Sequence, residues 1–204
     1  MTRLSNCMLA PALLAAGLGG CAHAPVGHDE RSFSERRSYL ELLDNWDVRG
    51  RIAVNTGEQA FQGRFQWSQS ADSLDLSIRG PLGAGVLQIT GPPDRLMVRA
   101  RGEDWELTDP EAELSALLGW WLPVGSLSSW LLGFPDPRFP AETSLGPDDA
   151  LQSLEQRRWR LTYQSYQLAD GIMLPRRIDL AHQNLELRVI VDRWQTAVGE
   201  GRSP

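Results

Sequence analysis

Lysine is absent from this chain, and all twenty basic residues are arginine. A bias of that kind is compositional and carries no functional reading. Histidine occurs only at His23, His28 and His182, so a histidine-based catalytic triad or a zinc site has almost no material. A basic excess is missing too, since the formal charge is −6, which argues against a nucleic-acid partner whose phosphates would need a positive face. No glycine-rich phosphate loop stands in a strand-to-helix setting. The paired carboxylates Asp148-Asp149, and Glu103-Asp104 beside Trp105, read as solvated turns rather than as the acid and base of a sugar hydrolase. These absences together point away from an enzyme and away from any cofactor or metal.

Cysteine is scarce as well, at Cys7 and Cys21 alone. Arg3 supplies a positive charge, and Met8 to Leu18 form an apolar stretch broken by Pro11, far short of the roughly 20 residues that span a bilayer. The run Leu18-Gly19-Gly20-Cys21 follows at once and resembles the lipobox of bacterial lipoproteins. Residues 1–20 are therefore expected to be a signal peptide that is removed, and Cys21 to be the acylated N-terminus. Cys7 leaves with the signal, so no disulfide can form in the mature chain. A diacylglycerol on the thiol and a further acyl chain on the amine exceed the single chain that gives only marginal attachment. Ala22 stands where inner-membrane lipoproteins of the resembled class typically carry aspartate, which favours the outer membrane. Residues 21–31 are small, polar and proline-containing and read as a flexible tether.

One domain is expected over residues 32–195, followed by a disordered tail at 196–204. Ser32 and Glu35 form a capping box for a helix that carries Phe33, Leu40 and Leu43 on one face. From Trp46 the period becomes two: Trp46, Val48, Gly50, Ile52 and Val54 face one way, with Asp47, Arg49, Arg51 and Asn55 opposite. The alternation returns in Phe61 to Trp67 and in Leu74 to Ile78. It continues more weakly at Leu96 and Val98, Trp159 to Tyr163, Ile178 and Leu180, and Leu185 to Val191. These are half-buried antiparallel strands in a meandering sheet. Gly50 and Gly63 on the apolar face suit a strongly curved sheet.

Between residues 109 and 133 the pattern turns helical. Asp109 before Pro110 starts one helix, with Leu114, Leu117, Leu118 and Trp121 recurring at helix spacing. A second begins near Ser126, carries Leu127, Trp130 and Leu131, and stops at Gly133. Either the two helices cap the concave side of the sheet as a lid, or they complete a solid core.

Residues 119–134, Gly-Trp-Trp-Leu-Pro-Val-Gly-Ser-Leu-Ser-Ser-Trp-Leu-Leu-Gly-Phe, resemble the LolB family of outer-membrane lipoprotein receptors. Arg49-Gly50-Arg51-Ile52-Ala53-Val54, Arg64-Phe65-Gln66-Trp67 and Pro81-Leu82-Gly83 add to the match in the right order. The resemblance implies a mainly β fold, an open, incomplete antiparallel β-barrel with a helical lid over a hydrophobic cavity. It implies a monomer that takes lipoproteins from a periplasmic carrier resembling LolA, buries their acyl chains, and inserts them into the inner leaflet of the outer membrane. On that reading the cavity is lined by Ile52, Phe65, Trp67, Leu76 and Ile78 of the strands and by Trp120, Trp121, Trp130 and Leu131 of the lid. A leucine on one loop serves membrane delivery in the family, and Leu82 is the matching position. The alternative is a structural or assembly lipoprotein of the outer membrane whose barrel is filled and which binds a protein partner. A receptor for some other hydrophobe is the third reading.

Overall fold

The computed structural model describes residues 29–81 and 86–196. Cys21, Leu82 and the tail from residue 197 lie outside that range. The described residues form one antiparallel sheet of eleven strands and three helices. β1 (Asn45–Asn55) is its centre, pairing with β2 (Ala60–Ser70) on one side and β11 (Leu185–Thr196) on the other. From β2 the sheet continues through β3 (Ser73–Arg79), β4 (Val86–Gly91), β5 (Leu96–Ala100) and β6 (Glu103–Leu107). From β11 it continues through β10 (Ile172–His182), β9 (Trp159–Ala169), β8 (Leu151–Gln156) and β7 (Ala141–Leu145). The first and last strands are thus neighbours, and β6 and β7 are the two unpaired edges. An open antiparallel barrel results, as the alternation and the resemblance implied.

The curvature has a local cause. A side chain at Gly50 would collide with the Ile190 carbonyl and stand 2.8 Å from the Phe65 ring, and one at Gly63 would lie 2.6 Å from the Arg79 carbonyl. Glycine therefore lets neighbouring strands and rings close in on the concave side. The β1–β11 register also shifts between Arg49 and Gly50, a bulge that adds bend.

The connection between the two edges supplies the helices α2 (Pro110–Leu118) and α3 (Val124–Leu132). Proline occupies the first turn of α2 as expected, but Asp109 makes no side-chain cap; the Glu113 carboxylate accepts the Thr108 and Asp109 N–H groups instead, at 3.0 and 2.8 Å. α3 starts at Val124, earlier than the serine pattern suggested, because Ser126 is buried and donates to Asp136 at 2.7 Å. Gly133 ends α3 with φ of 94°, and a Cβ there would stand 2.9 Å from Pro175 Cγ, so glycine is needed both for the turn and for the approach to β10.

Helix α1 (Phe33–Leu40) carries the expected capping box. It sits at the end of the sheet formed by the β2–β3 and β9–β10 turns. Arg36, almost wholly buried, donates to Asp29 at 3.1 Å and to the Arg31 carbonyl at 2.8 Å, and Asp29 accepts the Met173 N–H at 2.9 Å. Asp29 and Arg31 are thus bonded to the domain although the sequence placed them in the tether. The same end is plugged by three tryptophans, with Trp46 5.5 Å from Trp67 and 5.7 Å from Trp194.

Two carboxylates should make the fold acid-sensitive. Burial alone would raise the pKa of Asp29 and of Asp136. The hydrogen bonds from the Met173 N–H, Arg36 and Arg31 to the first, and from Arg138 and Ser126 to the second, more than offset it and hold both below the ordinary value. A folded-state pKa below the unfolded one gives stability that is present above about pH 4 and lost as pH falls through that range. Thermal midpoints measured from neutral pH downward should drop steeply below about pH 4, and an Asp136→Asn variant should show a shallower drop.

Candidate functional site

Along β1, β2 and β3 the apolar face is tightly packed at the plugged end and loosens toward the other. In β1, Trp46 and Val48 are buried while Ile52 and Val54 are half-buried. The difference is a cavity of about 760 Å³ between the concave sheet and the two helices, within the range of sites that enclose whole small-molecule ligands. The barrel is therefore hollow, and the helices are a lid over a space rather than the last layer of a solid core.

Eight of the nine residues expected to line the cavity do so: Ile52, Phe65, Trp67, Leu76, Ile78, Trp120, Trp130 and Leu131. Trp121 does not. It lines a second, more polar concavity beside the first, with its ring 5.4 Å from His182 and the Arg157 guanidinium 5.0 Å above it. Trp120 and Trp121 follow Gly119 in an irregular segment, where helical spacing no longer decides which way successive side chains point. The far wall was not anticipated: Leu161, Ile178, Leu180, Leu187 and Val189 close the cavity from β9, β10 and β11. Their two-residue period was visible in the sequence, but the pairing of β1 with β11 that brings them opposite Ile52 was not. Val98 and Trp105 belong to the lining too, although Trp105 stands in the segment read as an acidic turn.

Among the described residues, polar side chains meet the cavity only at its rim, where Thr56 and Gln59 of the β1–β2 turn and Arg101 and Glu103 of the β5–β6 turn stand. Phe61 and Leu117, also at this end, are 41% and 43% exposed. A mouth with protruding apolar groups and an apolar interior suits entry of hydrocarbon rather than of a charged metabolite. Tyr163 is no exception, because burial pushes its phenol well above the usual pKa and its hydroxyl donates to the Trp130 carbonyl at 2.9 Å.

The lid is fixed by a buried polar hub. Gln156 accepts from Trp130 Nε1 at 2.7 Å and from the Asp136 N–H at 2.9 Å, and donates to the carbonyls of Asp136 and Phe139 at 2.9 and 2.8 Å. Arg157 reaches across to Glu111 of α2 through two bonds of 2.8 and 2.6 Å. Among the described residues no cluster of three or more histidine, cysteine, aspartate or glutamate side chains could hold a metal ion. None of the described helices is long and apolar enough to cross a membrane.

Comparison with known proteins adds to this geometry. The family model described as outer membrane lipoprotein LolB matches residues 44–194. A protein of Nitrosococcus oceani named outer-membrane lipoprotein LolB is 34% identical over 195 residues, which cover 95% of this chain and 97% of that one. One of the same name from Stutzerimonas stutzeri is 35% identical over 202 residues, covering 96% and 97%. Among solved structures, a LolA superfamily protein from Nitrosomonas europaea aligns with a TM-score of 0.56 over 83% of this chain and 95% of its own at 9% identity. A putative outer membrane lipoprotein-sorting protein domain from Vibrio parahaemolyticus gives 0.52 over 83% and 93% at 8% identity. At such identities these two likenesses concern the fold alone.

Proposed function

Because the chain belongs to the family of outer membrane lipoprotein LolB, we propose that it is a lipoprotein receptor: it accepts lipoproteins from a soluble carrier by burying their acyl chains and releases them into the outer membrane. The observation that carries this reading is the apolar cavity of about 760 Å³, whose polar lining residues stand at its rim. Acyl chains cannot cross water unshielded, since each buried methylene is worth roughly 0.8 kcal/mol. A lidded, apolar space whose polar rim is interrupted by the exposed Phe61 and Leu117 provides the shelter. A filled barrel serving as a structural lipoprotein would leave no such space.

Transfer in this scheme makes and breaks no covalent bond. It needs only an affinity that rises from carrier to receptor to membrane. The carrier would share the LolA-like fold, and the receptor would work as a monomer. Cys21 would carry the lipid that holds it at the outer membrane, facing the periplasm. Leu82 would act at delivery, as the resemblance to the family implies; the described strand end that precedes it, Arg79 of β3, lies toward the cavity mouth.

A fluorescent fatty-acid probe tests the cavity directly: saturable uptake with a blue-shifted emission supports the reading, and no uptake by the folded protein rejects it. Replacement of Leu82 by glutamate should leave probe uptake unchanged and slow the release of bound lipoprotein into vesicles about tenfold or more, since a carboxylate resists entry into the acyl region. Release at the parental rate would remove Leu82 from the scheme.

A further inference from the structure

The outer, convex face of the sheet carries an arrangement that folding does not require. Arg51 of β1 lies directly opposite Arg64 of β2, and Arg64 lies directly opposite Arg79 of β3, so three arginines form one row across three strands. One step along, Arg49 stands opposite Arg193 of β11. All five are exposed. Like charges at directly opposed positions destabilise a sheet.

Elsewhere on the same sheet arginine is treated differently. Arg99 is paired across strands with Asp104 at 2.7 Å, Arg188 with Asp179 at 2.8 Å and Arg160 with Glu155 at 2.7 Å, each at a register position. Among the described residues of the central row, only Arg51 has an acidic partner, Asp192 at 2.9 Å. Acidic groups are available but displaced: Asp47 and Asp75 flank Ser68 in a row of their own, four positions from the arginines and toward the plugged end. Arg49, Arg51, Arg64 and Arg79 together line a shallow depression on this face. The positive patch therefore sits at the mouth half of a molecule whose net charge is −6.

We propose that the convex face of β1–β3 is a docking surface for an anionic phospholipid bilayer, with the arginine row engaging lipid phosphates. Guanidinium groups match phosphate through paired N–H donors, and each basic residue near an anionic surface contributes modest, additive attraction. The row is level with Ile52 and Ile78 of the cavity, so docking by this face brings the mouth half of the sheet toward the lipid. This orientation rests on the receptor reading, in which the chain is already tethered at a membrane and a weak surface affinity suffices to set its attitude. The charge pattern itself is independent of what fills the cavity.

A chain starting at Ala22 keeps every described residue and lacks Cys21, the proposed lipidation site. Its sedimentation with phosphatidylcholine vesicles, with and without phosphatidylglycerol, is the test. Binding should require the anionic lipid and weaken with added salt. Arg64→Glu combined with Arg79→Glu should reduce it on the order of tenfold or more, while Asp47→Asn combined with Asp75→Asn should not weaken it. The variant with Arg64→Gln and Arg79→Gln, which relieves repulsion without reversing charge, should fold at least as stably as the parent and also bind more weakly. Equal binding to both vesicle types, no binding to either, or undiminished binding by the arginine variants would overturn the proposal. Slower uptake of cargo from the carrier by variants that still bind vesicles fully would assign the row to an acidic protein partner and overturn it likewise. Fatty-acid uptake by the same variants should equal the parent's; failure of the parent to take up the probe would count against the cavity reading alone.

Discussion

Leucine in place of Gln156 is expected to lower the folding free energy by about 4 kcal/mol. Gln156 is 3% exposed and lies in β8, where its side chain satisfies Trp130 Nε1, the Asp136 N–H and the Asp136 carbonyl, all buried, together with the carbonyl of Phe139 near the surface. Leucine fits the volume and satisfies none of them. Each buried group left without a partner costs about 1–3 kcal/mol, and a domain of this size has only about 5–15 kcal/mol in total. The damage is also functional, because Trp130 is both a lid residue and part of the cavity lining. Urea denaturation of the variant should show the midpoint falling with little change in slope. A loss under about 1 kcal/mol would mean that the hub does not hold the lid.

The second large effect concerns binding. Ile78 is half-buried, faces the cavity, and lies opposite Phe65 in β2 and Leu87 in β4. Ile78→Glu places a carboxylate on the wall that an acyl chain must cover, and desolvating it costs several kcal/mol on binding. Fatty-acid affinity should fall by about a hundredfold or more, whereas Ile78→Leu should stay close to the parent. The adjacent Ser77 points to the outer face, so Ser77→Glu should leave affinity unchanged even though it adds the same charge one residue away. Equal effects at 77 and 78 would contradict the assignment of inner and outer faces.

Much of this fold was legible in the sequence because its signals are local. The Ser32–Glu35 capping box, Pro110 at the start of α2, Gly133 at the end of α3 and the alternation in β1, β2 and β3 are each fixed within a few residues. β7 was missed because all five of its residues are exposed, leaving no apolar period to detect. β6 was hidden by its acids: Asp104 faces out to Arg99, while Trp105 and Leu107 face in. β8 hides for another reason, since one of its buried positions is the polar hub residue Gln156. The hub unites residues 17 to 26 positions apart, which no local pattern announces. The arginine row likewise becomes a row only once strand register is known.

His182 shows the same limit. As a lone histidine near a strand end it offered nothing, yet it stacks on Trp159 at 5.2 Å and borders the polar concavity beside the mouth. Burial, aided by the nearby Arg158 charge, pushes its pKa down, so the folded chain resists a proton that the unfolded chain accepts. Its contribution to stability is therefore present above about pH 6.5 and lost below it, ahead of the steeper loss from Asp29 and Asp136.

The most direct measurement is transfer itself: the chain from Ala22 onward, without the proposed lipidation site Cys21, is mixed with a LolA-like carrier loaded with a labelled lipoprotein, and the label is followed by separation of the two proteins. Movement of the lipoprotein onto this chain, lost in Ile78→Glu and kept in Ser77→Glu, is the predicted result. Retention of the lipoprotein by the carrier in the presence of the folded domain would contradict the receptor function.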